Sequence, residues 1–506
     1  MSEAGGREER SGGFDAIRDL DGLVAGAVVD GVRVLTAPGE GDQVAAGIVF
    51  RVGWADEQLA RSGITHLVEH LALFGRNPGD IHHNGTTDEF STHFHATGSP
   101  EKVVQFFNDV CAALRSLPLD RAEVEKGVLE TEAARRGSGL AERMRLERYG
   151  ARGPGLGGYE GFGLPAITAD DVSGWVAERF TAENAVAWIT VDELPDGLDL
   201  RLPQGRAWPV PEPADLLTET PAFFRGAPGG LLLEAIVPAT AASLVFSQVL
   251  SRALFRVLRQ ENGLSYEARC DWERLDASHA RLTLFADALP EKQAAVVGEV
   301  VDLLAALRVG RVDGSDLQAA QASVEELRGA SSLGARLLPS TAFKLAAGID
   351  SRGPERLAEE FASVTASDVI DQAQQFSQAA LAQIPEGSLD WAGFTARPAW
   401  SQAEVDGRAY SRRGQDEAAL VIGDRGVMMR EPEGFVTVLF DEAEALEAWP
   451  DGARRIVGAD GFQILIEPTL YDGMPGDAVA AIDAAVPAGL HIPRPARDPD
   501  SIPRPA

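Results

Sequence analysis

The alternation of apolar and polar positions divides the chain into stretches of two kinds. Between residues 23 and 57, short apolar runs (VRVLTA, AAGIVFRVG) are separated by turns containing Gly and Asp, the pattern of two strands of a sheet. At 64–74 the period lengthens. Ile64, Leu67, Val68 and Leu71 recur at i, i+3, i+4 and i+7, which predicts a helix with one buried stripe. A loop rich in Gly, Asn, Pro and His follows, and FSTHFHATG at 90–98 alternates again as a strand. Residues 100–117 predict an amphipathic helix. After Pro118, Asp120 and Glu123 have the spacing of a capping box opening a helix through RAEVEKGVLETEAARR. A helix near 168–180 and the strand AVAWITV at 185–191 complete an α+β unit over residues 23–195.

Residues 196–221 are rich in Pro, Gly and Asp and read as a linker. A similar order of elements recurs over 222–395: strand LLLEAIVP, a long helix at 241–260, strands YEARCDWER and ARLTLFADA, then helices at 290–308, 315–330 and 366–379. The recurrence is of order, not of residues, and points to two similar domains from a duplication. Residues 401–487 become β-rich before a helical stretch, PGDAVAAIDAAV, and predict a small barrel or sandwich closed by a helix. The polar N-terminus, 1–22, and the Pro/Arg/Asp tail, 488–506, are expected to be disordered. The expected fold class is α+β, two duplicated α/β-sandwich domains and a small C-terminal β-rich domain.

Length and composition fit this division. The 506 residues are enough for two to four domains, and 45% of them are hydrophobic. Two cysteines, Cys111 and Cys270, are too few for a disulfide framework and read as buried apolar residues of a reducing compartment. With no charged-then-apolar leader and no run of about 18 apolar residues, the sequence reads as cytoplasmic without a membrane span. The formal net charge of −31 excludes the basic footprint of a nucleic-acid binder; it serves solubility, or steers basic substrates.

The helix at 64–74 carries chemistry on its polar side. His66 and His70 are four apart and so share a face, with Glu69 beside them. Two imidazoles one turn apart make a chelate for Zn²⁺, and a catalytic zinc needs a third protein ligand and an open position. Glu69 is too close to His70 in the chain to complete the set, but is placed to take a proton from a zinc-bound water. The third ligand is expected from another helix. Glu125 and Glu132, two turns apart, both present carboxylates on one face of the helix through VEKGVLETE.

His66-x-x-Glu69-His70 is the arrangement of the inverzincin peptidases. Over residues 23–395 the chain resembles that family, which includes pitrilysin, insulin-degrading enzyme and the mitochondrial processing peptidase. VGWADEQLARSGITHLVEHLALFG is similar to the family's entry into its zinc helix, and NGTTDEFSTHFHA to the stretch that leads into a substrate-pairing strand. EKGVLETE resembles the helix carrying the third ligand. The resemblance makes Glu132 the ligand and Glu125 the hydrogen-bonding support of His66 or His70. LFRVLRQENGLSYEA is similar to the family's Arg/Tyr element, which implies that Arg259 and Tyr266 contact substrate near the scissile bond. Asn84 and Thr87 are implied to bind substrate.

The implied activity is zinc-dependent hydrolysis of peptides or small unfolded chains, with processing or leader-peptide removal among the reactions that fit, and one Zn²⁺ per chain. Family members close a chamber from four such domains, so the resemblance implies a homodimer, or a heterodimer with a related subunit. One departure stands out: only GRNPGDIHH separates Phe74 from Asn84, where the family carries a helix, so one wall of the cleft is shortened. His82, His83, His93 and His95 lie in and after this gap and raise the question of a second metal site. Two other functions share the sequence: a catalytically inactive structural or partner subunit of a peptidase-family dimer, and a metal- or peptide-binding module.

Overall fold

Asp30 and Gly31 both take left-handed backbone angles, φ 52° and 88°. This two-residue turn folds Ala25–Val29 (β1) back on Val32–Thr36 (β2) as a tight hairpin. The stretch expected to hold two strands therefore holds three, the third being Val44–Phe50 (β3). The computed structural model describes residues 14–20, 22–75, 81–136, 139–212, 216–226, 229–415 and 417–504.

The first sheet is completed by His82–Thr87 (β4), Thr92–Gly98 (β5) and Ala185–Ile189 (β6), in the order β1-β2-β6-β3-β5-β4. Helices Ile64–Leu73 (α1), Pro100–Arg115 (α2) and Ala169–Arg179 (α5) join it in one apolar core that includes Val68, Phe107 and Val172. Ala122–Arg136 (α3) lies beside α1, and Leu140–Tyr149 (α4) reaches across to the second unit while its Arg145 stays against Trp54 and Glu89 of the first.

The second sheet comprises Ala222–Arg225 (β7), Gly230–Pro238 (β8), Ala268–Arg274 (β9), His279–Asp287 (β10), Leu381–Ile384 (β11) and Thr395–Ala396 (β12), in the order β12-β7-β11-β8-β10-β9. In both sheets a late strand runs parallel to an early one (β6 to β2, β11 to β7); β12 is also parallel to β7, and the other pairs are antiparallel. The expected duplication is thus present in the topology. Five helices accompany this sheet besides the one that exchanges: Ala241–Leu254 (α6), Gln293–Arg308 (α7), Gly314–Arg328 (α8), Pro354–Ser363 (α10) and Ala366–Ala379 (α11). Between them, Leu333–Ala346 (α9) crosses to the other unit.

The exchange has a simple cause. Strands buried on both faces need two covers. Leu338, Ala342, Leu345 and Ala346 of α9 close over Leu35, Val49, Val186 and Trp188 on the free face of the first sheet. Met144 of α4 meets Ala222, Phe224, Leu232 and Leu381 on the second. Full burial of each leucine contributes roughly 2 kcal/mol, so the two units share one folding ledger.

The third unit is two four-stranded sheets. One is Gly407–Ser411 (β13), Ala419–Gly423 (β14), Gly426–Glu431 (β15) and Gly434–Leu439 (β16). The other is Ala443–Ala448 (β17), Arg454–Gly458 (β18), Gln463–Ile466 (β19) and His491–Pro493 (β20), and Gly476–Ala485 (α12) packs beside them.

Several expectations change. The tail, read as disordered, supplies β20, which pairs parallel with β17. Beyond it Arg497 grips Glu467 at 2.6 and 2.8 Å and Asp451 at 2.8 Å. Of the N-terminus read as disordered, residues 1–13 and 21 lie outside the described residues, while Asp15–Leu20 form a 3₁₀ helix that buries Ile17 and Leu20. At the start of α3, Glu123 pairs with Lys126 at 2.6 Å instead of closing a capping box with Asp120, because a 3₁₀ turn at Leu119–Arg121 runs straight into the helix. The run Ala241–Glu261 is, at 21 residues, long and apolar enough to span a membrane by length and composition, against the reading that no such run exists. Its Val245, Phe246, Leu250 and Leu254 are buried in the core of the second unit. Segment 196–221 is non-regular chain that packs Leu200 and Leu202 into the first core, and residues 213–215 lie outside the described set.

Candidate active site

Helix α1 begins abruptly at Gly63, whose φ of +96° is open to glycine. The buried carboxylate of Glu57 accepts hydrogen bonds from the backbone N–H groups of Gly63 (2.7 Å) and Thr65 (2.8 Å), which satisfies donors that a helix start leaves unpaired. Burial, only partly opposed by these bonds, pushes the Glu57 carboxyl up to about 7. Ile64, Leu67, Val68 and Leu71 are buried as the stripe predicts. The turned-away face presents His66 and His70, whose side chains are 20% and 18% exposed.

Three acidic groups meet that face. Glu132 on α3 places its two oxygens 3.9 Å from His66 Nε2 and 3.9 Å from His70 Nε2. Glu125, two turns earlier, stands 3.4 Å from His70 Nδ1 and also takes a bond from Arg121. Glu69 lies 3.9 Å from His66 Nε2. Glu132 thus faces both Nε2 atoms, and Glu125 the Nδ1 side of the His70 ring. His66, Glu69 and His70 bring their ligand-type atoms within 4.8 Å of one another, the one such three-residue group among the described residues.

Strand β4 closes the other side. Thr87 Oγ1 donates to Glu69 Oε2 at 2.8 Å. Gly85, on the same strand face, lets β4 come down on the carboxylate: a Cβ there would stand 2.5 Å from Glu69 Oε1. Burial raises the Glu69 carboxyl above its ordinary range; the Thr87 hydrogen bond opposes this. Strand alternation puts Asn84 on the opposite face, across from His95, so Asn84 and Thr87 do not act from one side. Strand β4 has a neighbour on one side only, which leaves its outer backbone groups at the sheet edge.

Two other histidines have contacts away from the pair His66 and His70. His93 accepts the indole N–H of Trp188 at 3.0 Å, and burial, aided by nearby His95, pulls its pKa down to about 4. His83, on the same face of β4 as Gly85 and Thr87, packs against Phe106. Residues 76–80 of the short segment before β4 lie outside the described set.

Arg259 and Tyr266 meet each other but not the histidines. Arg259 donates to the Tyr266 carbonyl at 3.3 Å, its guanidinium 4.7 Å over the Tyr266 ring, and Tyr266 is 76% exposed. They lie where α6 unwinds into a π-helical turn, Phe255–Glu261, and line a different cleft from the one beside His66.

Sequence reasoning missed the cavity next to His66 and Thr87, about 220 Å³ in volume and walled by Trp54, Leu129, Leu156, Tyr159 and Leu164. Its one local signal is the glycine-dense run from Gly150 to Gly163, too dense for a helix or strand.

No family model and no curated protein matches the chain. Solved structures do. A protease from Helicobacter pylori superposes with TM-score 0.60 at 18% identity, over 71% of this chain and 98% of that one. The first half of the periplasmic protease PqqL from Escherichia coli gives 0.56 at 14%, over 74% and 93%. A peptidase M16 inactive domain from Pseudomonas fluorescens gives 0.57 at 16%, over 72% and 99%. At these identities the likeness is one of fold: the chain has the duplicated architecture of M16 peptidases, a group that includes an inactive member.

Proposed function

We propose that this chain is a zinc-dependent endopeptidase acting on peptides or small unfolded chains. The observation that carries the reading is the convergence of His66 Nε2, His70 Nε2 and the Glu132 carboxylate, each imidazole nitrogen 3.9 Å from a carboxylate oxygen, with Glu69 alongside. Two donors on one tetrahedral Zn²⁺ stand about 3.4 Å apart, so a small side-chain adjustment closes this nitrogen–oxygen set on the ion. When bound, Zn²⁺ supplies Lewis-acid polarisation of a carbonyl and makes water acidic enough to ionise near neutrality.

The chain's own groups do the rest. Glu69 accepts the proton of the attacking water as its oxygen bonds to the carbonyl carbon, and returns it to the amide nitrogen as the C–N bond breaks. Thr87 donates at 2.8 Å to Glu69 Oε2, the oxygen 3.9 Å from His66 Nε2, and so fixes the carboxylate beside the histidine pair. Glu125 accepts the Nδ1–H of His70, which keeps the lone pair of that ring on Nε2. A peptide lying along the open edge of β4 gains main-chain hydrogen bonds as an added strand.

Arg259 and Tyr266 sit in another cleft of this chain. A homodimer, or a heterodimer with a related subunit, supplies them to a partner's zinc site. The two free, buried cysteines suit a cytoplasmic location. A second reading, an inactive partner subunit with the same fold, is favoured by the inactive M16 domain among the neighbours.

Zinc analysis and hydrolysis of a quenched-fluorescent peptide library by wild type and Glu69→Gln separate the readings. A peptidase binds zinc in both proteins and loses about 10²–10⁴-fold of its cleavage in the variant. An inactive subunit cleaves nothing in either form.

A further inference from the structure

Resting on the peptidase reading above, we infer that the C-terminal sheet of β17, β18 and β20 is the outer wall of the substrate pocket and sets which substrate side chain the pocket accepts.

Three sets of contacts run from that sheet to the cavity beside His66. The first is apolar. Leu156 and Tyr159 line the cavity, and on their outer side they pack in one buried cluster with Leu59, Ala60, Ala445, Val457 and Ile492. Ala445 and Val457 are register partners on β17 and β18, and Ile492 comes from β20. The second is charged. Glu447, fully buried on β17, takes both Arg455 and Arg494. Both guanidiniums lie over the Phe162 ring, at 5.1 and 5.7 Å, and Phe162 meets Tyr159 edge-on at 5.6 Å. The third is main-chain. Ala151 N–H donates to the Ala459 carbonyl at 3.0 Å, where Gly150 (φ +66°) leaves no room for a Cβ.

The pocket wall needs such backing. Seven of the fourteen residues from Gly150 to Gly163 are glycine, so the segment has large conformational freedom to lose. Its own regular structure is one short 3₁₀ helix, Gly153–Gly158, and a second 3₁₀ turn, Leu164–Ala166, directly follows the segment. Leu59 and Ala60, which rest on the same sheet, lead directly into α1. Trp54, Leu129, Leu156 and Leu164 give the cavity an apolar part, beside the charged Glu142, Arg145 and Glu160, and the shape of that part depends on residues near 445, 457 and 492.

The test uses the full chain with Ile492→Ala, Ile492→Val and Arg455→Met, assayed on a peptide library varied at the positions flanking the cut. The expected result is that Ile492→Ala lowers discrimination between large and small apolar side chains about tenfold, the scale of one or two methylenes of lost fit. The change appears in KM, with kcat within about twofold. Zinc content is unchanged and Ile492→Val restores the profile. If Ile492→Ala does not fold, Arg455→Met, which takes one guanidinium off Phe162 and leaves Arg494 on Glu447, is expected to shift discrimination in the same direction. An active wild type whose selectivity survives these changes, or is lost uniformly across the library, overturns this inference alone. A wild type that cleaves nothing overturns the peptidase reading and this inference with it.

Discussion

Glu125 Oε2 stands 3.4 Å from His70 Nδ1, so this imidazole is held at one nitrogen while the other, Nε2, faces Glu132 at 3.9 Å. Carboxylate contacts of this kind fix the tautomer and strengthen the ring as a donor. Glu125→Gln is expected to weaken zinc binding about 10–100-fold without unfolding the protein. Competition with a chelator of known affinity measures this, and unchanged affinity would contradict the assigned role.

Gly85 is the place where β4 touches Glu69. An alanine Cβ there would stand 2.5 Å from Glu69 Oε1, closer than side chains approach, so carboxylate or strand must move. A shift of about 1 Å at a reacting group costs about 10²-fold in rate. Gly85→Ala is expected to keep its zinc and lose cleavage on that scale, read as kcat per zinc bound.

His93 makes stability depend on acid. In the folded protein its pKa is pulled down to about 4, below the ordinary 6.5, and its Nε2 accepts the Trp188 N–H at 3.0 Å. The unfolded chain therefore takes up the proton first. Stability from this group is complete above 6.5 and is lost as the pH falls from there toward 4, on the order of 3 kcal/mol in all. Neighbouring His95, also held below its usual range by burial, works in the same direction. Urea unfolding of wild type and His93→Gln at neutral and acid pH checks this; the variant is expected to show a shallower acid loss.

Arg281, buried on β10, grips Glu89 at 2.8 and 3.2 Å and Glu273 at 2.5 Å, tying the second sheet to the turn two residues after Thr87. Removing Arg281 leaves the buried carboxylate of Glu89 with only the weaker contact of Arg145, at 3.7 Å. Arg281→Met is expected to destabilise the fold by about 3–5 kcal/mol, with Glu89→Gln in the same chain recovering part of it. Denaturant midpoints of the two singles and the double measure the coupling.

The parts legible in the sequence are those whose causes are local. The stripe of Ile64, Leu67, Val68 and Leu71 gave α1 and with it the facing pair His66 and His70. The Asp30–Gly31 hairpin carries a local signal too, but the runs beside it are too short to stand out as two strands. Helices α4 and α9 were not legible. Each buries its apolar residues on the sheet of the other unit, and α4 further depends on distant ion pairs, Arg148 with Glu234 at 2.9 Å and Glu147 with Arg397. The tail looked disordered by composition because Arg494 and Arg497 are charged; their partners, Glu447 and Glu467, lie far back in the chain. The pocket escaped for the same reason, since Tyr159 and Leu156 gain their backing from residues near 445, 457 and 492.

Metal stoichiometry of purified wild type beside Glu132→Ala, measured after dialysis against zinc and then buffer, addresses the site most directly. A zinc peptidase site built from these three side chains retains about one zinc per wild-type chain and little in the variant, as three protein ligands are the minimum for a tight catalytic site. Wild type that emerges without zinc, or a variant that keeps a full equivalent, would contradict it.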